Sequence, residues 1–125
     1  MTPRKQLGDF GERVAANRLD AEGMRIVGRN VRVGRIEVDI VAEDGEDLVF
    51  VEVRTRRGAA GLAAESLGAA KLRRMWQGAL RYCDEHGVVL ERARIDVVAV
   101  DLDANGAVRD VVHFRGIEIP EGLEE

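Results

Sequence analysis

The chain is poor in the residues that form disulfides and transition-metal centres. Its 125 residues include one cysteine, Cys83, and two histidines, His86 and His113, which show no ligand spacing. A single cysteine excludes an internal disulfide framework and a multi-cysteine zinc site. We therefore expect Cys83 to be a buried small hydrophobe and both histidines to be structural. The sequence also lacks a phosphate-binding P-loop and a serine-nucleophile elbow.

Long apolar runs are missing as well. No stretch approaches the roughly 18 apolar residues of a membrane-spanning helix, and the N-terminal MTPRKQLGDFGERV has no apolar signal core. We expect a cytoplasmic protein that does not enter a membrane. The composition, 46% hydrophobic and 34% charged, is typical of a globular protein. We expect residues 1–119 to form a single domain and the acidic residues 120–125 to form a disordered tail.

Positive charge is not in excess, since the formal net charge is −4, but it is unevenly distributed. Residues 1–82 carry 15 Lys and Arg against 12 Asp and Glu, whereas residues 83–125 carry 4 against 11. Basic residues cluster at positions 29–35 and 54–57. A local basic surface can exist on an acidic chain. On charge alone, however, an ordinary solvated surface is the simpler interpretation.

Apolar spacing predicts an α/β fold in the order α-β-β-β-α-β-β, with helices packed on a mixed sheet. Helices are predicted from Leu7 to Leu19, with Gly23 as its C-cap, and from Leu67 to about His86. Strands are predicted over residues 24–33, 35–44, 47–56, 93–102 and 108–117. Asp44-Gly45 is the predicted hairpin turn, and the small, Gly-rich residues 57–68 are a predicted mobile loop.

Two carboxylates interrupt the apolar hairpin EVDIVAEDGEDLVFVEVRTRR, namely Asp39 and Glu52. An ionised carboxylate among apolar neighbours is costly unless something compensates its charge. Strand alternation predicts that Asp39 shares a face with Val41 and Glu37. A two-residue turn at Asp44-Gly45 makes Asp39 and Glu52 diagonal neighbours, and a four-residue connection places them directly opposite. Either register brings their Cβ atoms within about 5–8 Å.

Adjacent carboxylates repel one another, and a divalent cation such as Mg²⁺ commonly resolves that repulsion. Glu12 lies at the edge of the apolar stripe of the first helix, from which it could reach the hairpin. Glu37 is a reserve ligand or an edge residue in water. From these residues alone, a structural cluster bonded to Arg54 or Arg35 is as good an interpretation as a metal site.

Glu12, Asp39 and the triplet Glu52-Val53-Arg54 resemble the PD-(D/E)xK nuclease pattern. The stretches GDFGERVAANRLDAEGMRIVGRNVR, EVDIVAEDG, LVFVEVRTR and RIDVVAV, together with Lys71, are similar to the YraN family of small bacterial proteins. This resemblance extends from about Gly8 to Val100. It implies a restriction-endonuclease-like fold similar to that of archaeal Holliday-junction resolvases.

The resemblance implies a metal-dependent nuclease-like protein that acts on DNA phosphodiesters, with branched DNA among the candidate substrates. It implies Mg²⁺ or Mn²⁺ as the cofactor and no small-molecule cofactor, with a homodimer as one candidate assembly. The implied metal ligands are Asp39, Glu52 and Glu12, which with Arg54 form the implied catalytic set. Phosphate contacts are implied for Arg35, Arg56, Arg57 and Lys71.

The sequence departs from the nuclease pattern at position 54, where arginine replaces lysine. Lysine can lose a proton and act as a base, whereas arginine effectively cannot. The proline of the PD dipeptide is also replaced, by Val38. A non-catalytic nucleic-acid-binding or protein-interaction module with the nuclease fold is therefore the alternative function.

Overall fold

A five-stranded mixed sheet lies between two helices in the computed structural model, which describes residues 3–58 and 67–118. The elements are α1 (Pro3–Ala21), β1 (Arg25–Val33), β2 (Ile36–Asp44), β3 (Asp47–Arg57), α2 (Ala69–His86), β4 (Ala93–Leu102) and β5 (Val108–Phe114). The predicted order and the mixed sheet flanked by helices are confirmed. Most of the predicted Gly-rich loop (residues 59–66) and all of the predicted acidic tail lie outside the described residues. No helix in the described part of the chain is long and apolar enough to cross a membrane.

The strands lie side by side in sequence order, and only the β3–β4 neighbours are parallel. The antiparallel neighbours follow one another through short connections, whereas the parallel pair needs a crossover, which contains α2. The β2–β3 ladder begins at Asp44↔Asp47, so Gly45 and Glu46 form the turn. Gly45 adopts a φ of 61°, as the first loop position of a tight hairpin turn requires. The register with Asp44-Gly45 as the turn is therefore wrong, and the alternative register, which places position 39 opposite position 52, is confirmed.

Strands β2 and β3 separate after the pair Ile40↔Val51. Beyond that point β2 continues beside β1, where Val38 pairs with Val31, while β3 continues beside β4. We call this divergence the fork; its sides are residues 36–39 and 52–57. Asp39 and Glu52 are the first residues on its two sides.

Side-chain alternation is interrupted along β2 at the fork. Val38 and Val41 both belong to the core cluster under α2, although an even spacing would separate them. Ile40 belongs to the cluster under α1. The prediction that Asp39 shares a face with Val41 is therefore wrong, because alternation holds only while the strand keeps a regular pleat. Instead, Asp39 lines a cavity beside α1.

Each face of the sheet has its own core. Under α1, fully buried residues include Leu19, Val51 and Val98; under α2, Phe50 meets Tyr82 edge-to-face with ring centroids 5.4 Å apart. Cys83 is buried in this second core, as predicted.

Two glycines let the helices approach the sheet closely. A Cβ atom at Gly78 would lie 3.1 Å from Ile36 Cγ2, so this buried glycine serves the packing of α2 on β2. A Cβ atom at Gly11 would lie 2.9 Å from Thr55 Cβ and 3.0 Å from its Cγ2. Gly11 thus sets the distance between α1 and β3, and with it the position of the neighbouring Glu12.

We expect Gly11→Ala to destabilise the protein by about 1–3 kcal/mol, because the added methyl group overpacks the contact with Thr55. Gly8→Ala is the matched control on the same helix, since nothing lies within 4 Å of its Cβ position. This control should be neutral or stabilising by up to about 1 kcal/mol, from helix propensity. Urea unfolding of both variants measures the difference, and Thr55→Ala should restore part of the loss in Gly11→Ala. Equal stabilities of the two glycine variants would contradict the close approach.

Candidate active site

The four residues of the predicted catalytic set line one cavity of about 570 Å³ at the fork, which we call the carboxylate cavity: Glu12, Asp39, Glu52 and Arg54. Asp39 and Glu52 come from the two sides of the fork, and Glu12 comes from α1. The backbone N–H of Val53 donates a hydrogen bond of 2.9 Å to Asp39 Oδ2, which holds that carboxylate across the gap between the strands. The predicted meeting of Asp39 and Glu52 is therefore found, although through the fork rather than through regular pairing.

Glu52 is only 6% exposed. Burial, and then the negative charge of Asp39, raise the pKa of Glu52 to about 7. Two cations oppose this rise: Lys71 Nζ lies 3.5 Å and Arg54 Nη1 lies 3.7 Å from Glu52 Oε2. The pKa of Asp39 is also raised, mainly by burial. The contact between the two carboxyl groups further raises the pKa of Glu52 and partly offsets the rise at Asp39.

Glu12 completes the acidic side of the cavity. Its side chain is 14% exposed, and its Oε1 has no hydrogen-bond partner among the described residues. Burial and the charge of Asp39 raise the pKa of Glu12, while a hydrogen bond with Asn30 and the charge of Arg29, 3.6 Å away, oppose the rise. Asn30 has a φ of 51°, the only non-glycine residue of the described chain with a positive φ. No signal in the sequence pointed to Asn30 as a partner of Glu12.

The donor set fits a hard divalent cation. Three carboxyl groups converge, and the pKa of each is raised, so a positive charge between them would relieve an existing cost. Across residues 3–58 and 67–118, however, no three Asp, Glu, His or Cys side chains are close enough to hold an ion together. Any site here therefore depends on two carboxylates, with water or phosphate oxygens as further ligands, which Mg²⁺ accepts.

A second cavity of about 460 Å³ lies on the α2 side of the fork, and we call it the side cavity. Glu52 borders both cavities. The wall of the side cavity includes Arg35 and Lys71, two of the predicted phosphate contacts. It also includes the predicted reserve ligand Glu37, which lies 3.7 Å from Arg32 and does not line the carboxylate cavity.

The remaining predicted phosphate contacts, Arg56 and Arg57, point to different places. Arg56 lines the carboxylate cavity. Arg57 instead donates two hydrogen bonds, of 3.2 and 3.0 Å, to the carbonyl of Ala104 in the β4–β5 turn. The structure therefore does not bring the Arg57 side chain to the carboxylate cavity. The reason is strand alternation, which puts Arg57 on the opposite face from Arg56.

Several arginines around the two cavities form no ion pair with any other described residue: Arg4, Arg35, Arg56 and Arg74. Several other arginines do form ion pairs, as Arg25 does with Glu43 and Arg94 with Asp44. Cations without a protein partner beside a cavity are available to bind an anion.

A separate polar cluster near the end of α1 is charge-balanced. Asp96 is fully buried, and Arg94 donates to both of its oxygens at 3.0 and 3.1 Å. The two ring nitrogens of His113 lie 2.7 Å from Asp96 Oδ2 and Glu22 Oε1, so this histidine is structural. Burial alone would raise the pKa of Glu22, but hydrogen bonds from His113, Arg18 and Arg115 hold it at about 2.

Together, the fold and the site define a mixed-sheet α/β domain with a carboxylate cluster in a strand fork. Residues 11–100 match the family model described as "Uncharacterised protein family UPF0102", and the chain belongs to this family. UPF0102 is the YraN family that the motifs resembled.

Relatives in two bacteria cover almost the whole chain. The UPF0102 protein of Arthrobacter sp. (strain FB24) is 45% identical over 118 residues, which span 94% of this chain and 99% of the relative. That of Beutenbergia cavernae is 46% identical with the same coverage. Among solved structures, the chain is similar to Pyrococcus furiosus SfsA in complex with Ca²⁺, at 17% identity and a TM-score of 0.45. The similarity covers 93% of this chain and 65% of the SfsA chain.

We expect Glu52→Gln to stabilise the metal-free protein at neutral pH. The folded-state pKa of about 7 lies above the ordinary value of 4.5, so the folded state binds the proton more tightly than the unfolded state. The resulting stability is complete below pH 4.5 and is lost as the pH rises towards 7. Glutamine does not ionise, so Glu52→Gln should not lose stability in this way. Its free energy of unfolding at pH 7.5 should exceed that of wild type by on the order of 1–3 kcal/mol. Thermal and urea unfolding between pH 4.5 and 7.5, in EDTA, measure it.

Glu46→Gln serves as the control, because Glu46 is exposed in the turn at the far end of the same hairpin. It should follow the wild-type pH profile. A Glu52→Gln protein less stable than wild type at pH 7.5 would show that the ion pairs with Lys71 and Arg54 outweigh the cost of burying the carboxylate.

Proposed function

We propose that this protein is a metal-dependent nuclease that acts on DNA phosphodiesters. The observation that carries the proposal is the meeting of Asp39 and Glu52 in an open cavity, where burial raises the pKa of both carboxyl groups. Nearby arginines without an ion-pair partner among the described residues suit the phosphates of a nucleic acid. A purely structural pair would be closed off from the cavity.

In this proposal Asp39 and Glu52 hold Mg²⁺ or Mn²⁺, and Glu12 supports them from α1. When bound, such an ion supplies positive charge that polarises a phosphate oxygen and makes water more acidic. Val53 keeps Asp39 oriented through its backbone hydrogen bond, so the ligand needs little reorganisation.

The cations of the fork supply the remaining chemistry. Arg54 is permanently charged and is placed beside Glu52 to stabilise negative charge on the phosphate in the transition state. Lys71, on α2, is the second cation beside the Glu52 carboxylate. Arg56 binds a neighbouring phosphate from the wall of the carboxylate cavity.

One observation favours the second candidate, a binding module that does not cleave. The lysine expected two residues after the glutamate is Arg54, and the nearest lysine, Lys71, is paired with Glu52 and is 40% exposed. Arginine effectively cannot lose a proton and so cannot act as the base. In that case the same surface would bind nucleic acid without cutting it.

Incubation with labelled four-way, forked and linear DNA, in Mg²⁺, Mn²⁺ or EDTA, tests the proposal. We expect metal-dependent cleavage that is lost in Asp39→Asn and Glu52→Gln and kept in Glu46→Gln. Salt-sensitive binding without cleavage in either metal would establish the binding module instead.

We expect Mg²⁺ or Mn²⁺ to raise the melting temperature of the wild-type protein. A ligand at ten times its Kd that binds only the native state adds about 1.4 kcal/mol, which corresponds to roughly 4–8 °C in a small domain. Asp39→Asn should abolish this shift without lowering the melting temperature in EDTA, because asparagine still accepts the Val53 hydrogen bond. A mutant that melts clearly lower in EDTA, with a wild type that ignores the metal, would contradict the metal site.

We expect Arg56, but not its neighbour Arg57, to contribute to the salt dependence of DNA binding. Arg56→Ala removes one phosphate contact and should flatten the slope of log K against log salt by about 0.9 on duplex DNA. Arg57→Ala removes the same charge from the β4–β5 turn and should leave the slope nearly unchanged. Titrations at several salt concentrations measure both slopes, and equal effects of the two variants would place the DNA surface elsewhere.

A further inference from the structure

The side cavity has the character of a site for a ligand that is partly apolar and partly anionic. Its floor contains Val38 and Met75, each 7% exposed. Its rim carries Arg35, Arg74 and Lys71, of which the two arginines have no ion-pair partner among the described residues. A volume of about 460 Å³ lies in the range of small-ligand sites.

The side cavity is also continuous with the proposed reaction site. Glu52 borders it on one side and borders the carboxylate cavity on the other. A group bound over Val38 is therefore the direct neighbour of a phosphate bound at Asp39 and Glu52. In a nucleic acid, the neighbour of a phosphate is a sugar with its base.

We propose that the side cavity receives an unpaired nucleobase, so that the substrate of this protein is a single strand or the single-stranded part of a branched DNA. This inference rests on the proposed function. A nucleobase has apolar faces, which suit the floor of Val38 and Met75, and polar edges, which suit Gln77 and Arg74 at the rim. Arg35 binds a flanking phosphate.

The depth of the site favours a single strand over a duplex. Glu52 is almost completely buried between the two cavities, so a phosphate reaches it only if the strand enters the fork. In a duplex the adjacent base is stacked and paired, and its extrusion costs free energy. An unpaired strand can present the base to the side cavity without that cost.

Fluorescence anisotropy with three labelled DNAs tests the inference: a single strand, its duplex, and a single strand of equal length whose residues lack bases. Titrations are made with Ca²⁺ and with EDTA. We expect the single strand to bind roughly ten times more tightly than either the duplex or the strand without bases, because each base bound by a protein contributes substantially to affinity.

Arg74→Ala and Arg73→Ala are matched variants on the same helix. Both arginines are exposed, but only Arg74 lines the side cavity. Arg74→Ala should weaken single-strand binding several-fold more than Arg73→Ala, and this excess should disappear with the strand that lacks bases. Equal effects of the two variants would overturn the inference.

The outcomes separate the two proposals. Metal-dependent cleavage with equal affinity for single strand, duplex and base-free strand would overturn the nucleobase site and leave the nuclease proposal standing. No binding and no cleavage of any of these DNAs would overturn both.

Discussion

The structure depends on a pair of carboxylates placed where two strands of one hairpin stop pairing. Had β2 and β3 remained in register, Asp39 and Glu52 would sit in a closed ladder without room for a ligand. The fork converts that position into a junction of two cavities. The close packing at Gly11 and the hydrogen bond from Val53 then hold the acidic groups at this junction.

Two acidic clusters of this protein show how environment separates a site from a structural element. In the cluster around Asp96, arginines and His113 donate hydrogen bonds to the carboxylates, and the pKa of Glu22 is held low. In the fork, two cations more than 3 Å away leave the pKa of Glu52 high. Carboxyl groups are thus stabilised by protein cations in the cluster around Asp96, whereas those in the fork would be stabilised further by an added cation. The electrostatic balance, rather than the number of acidic residues, distinguishes the two.

The element order and strand β4 at residues 93–102 could be predicted because apolar periodicity is strong in those segments. The meeting of Asp39 and Glu52 was predicted for a partly wrong reason, since period-two alternation assumes continuous pairing and the pairing ends beside them. The fork, the role of Asn30 and the side cavity depend on how α1 and α2 pack across the sheet. Such packing leaves no periodic signal in the sequence. For the same reason Arg56 and Arg57 looked equivalent as a basic pair, yet they face different parts of the protein.

The single parallel pairing in the sheet has a consequence for the order of folding. The strands β1, β2 and β3 follow one another through short turns, and so do β4 and β5, whereas Leu48 must find Ala93 across the long crossover that contains α2. Local pairings form sooner than distant ones because they close shorter loops. The two locally formed parts should therefore join late, and that step completes the burial of Glu52.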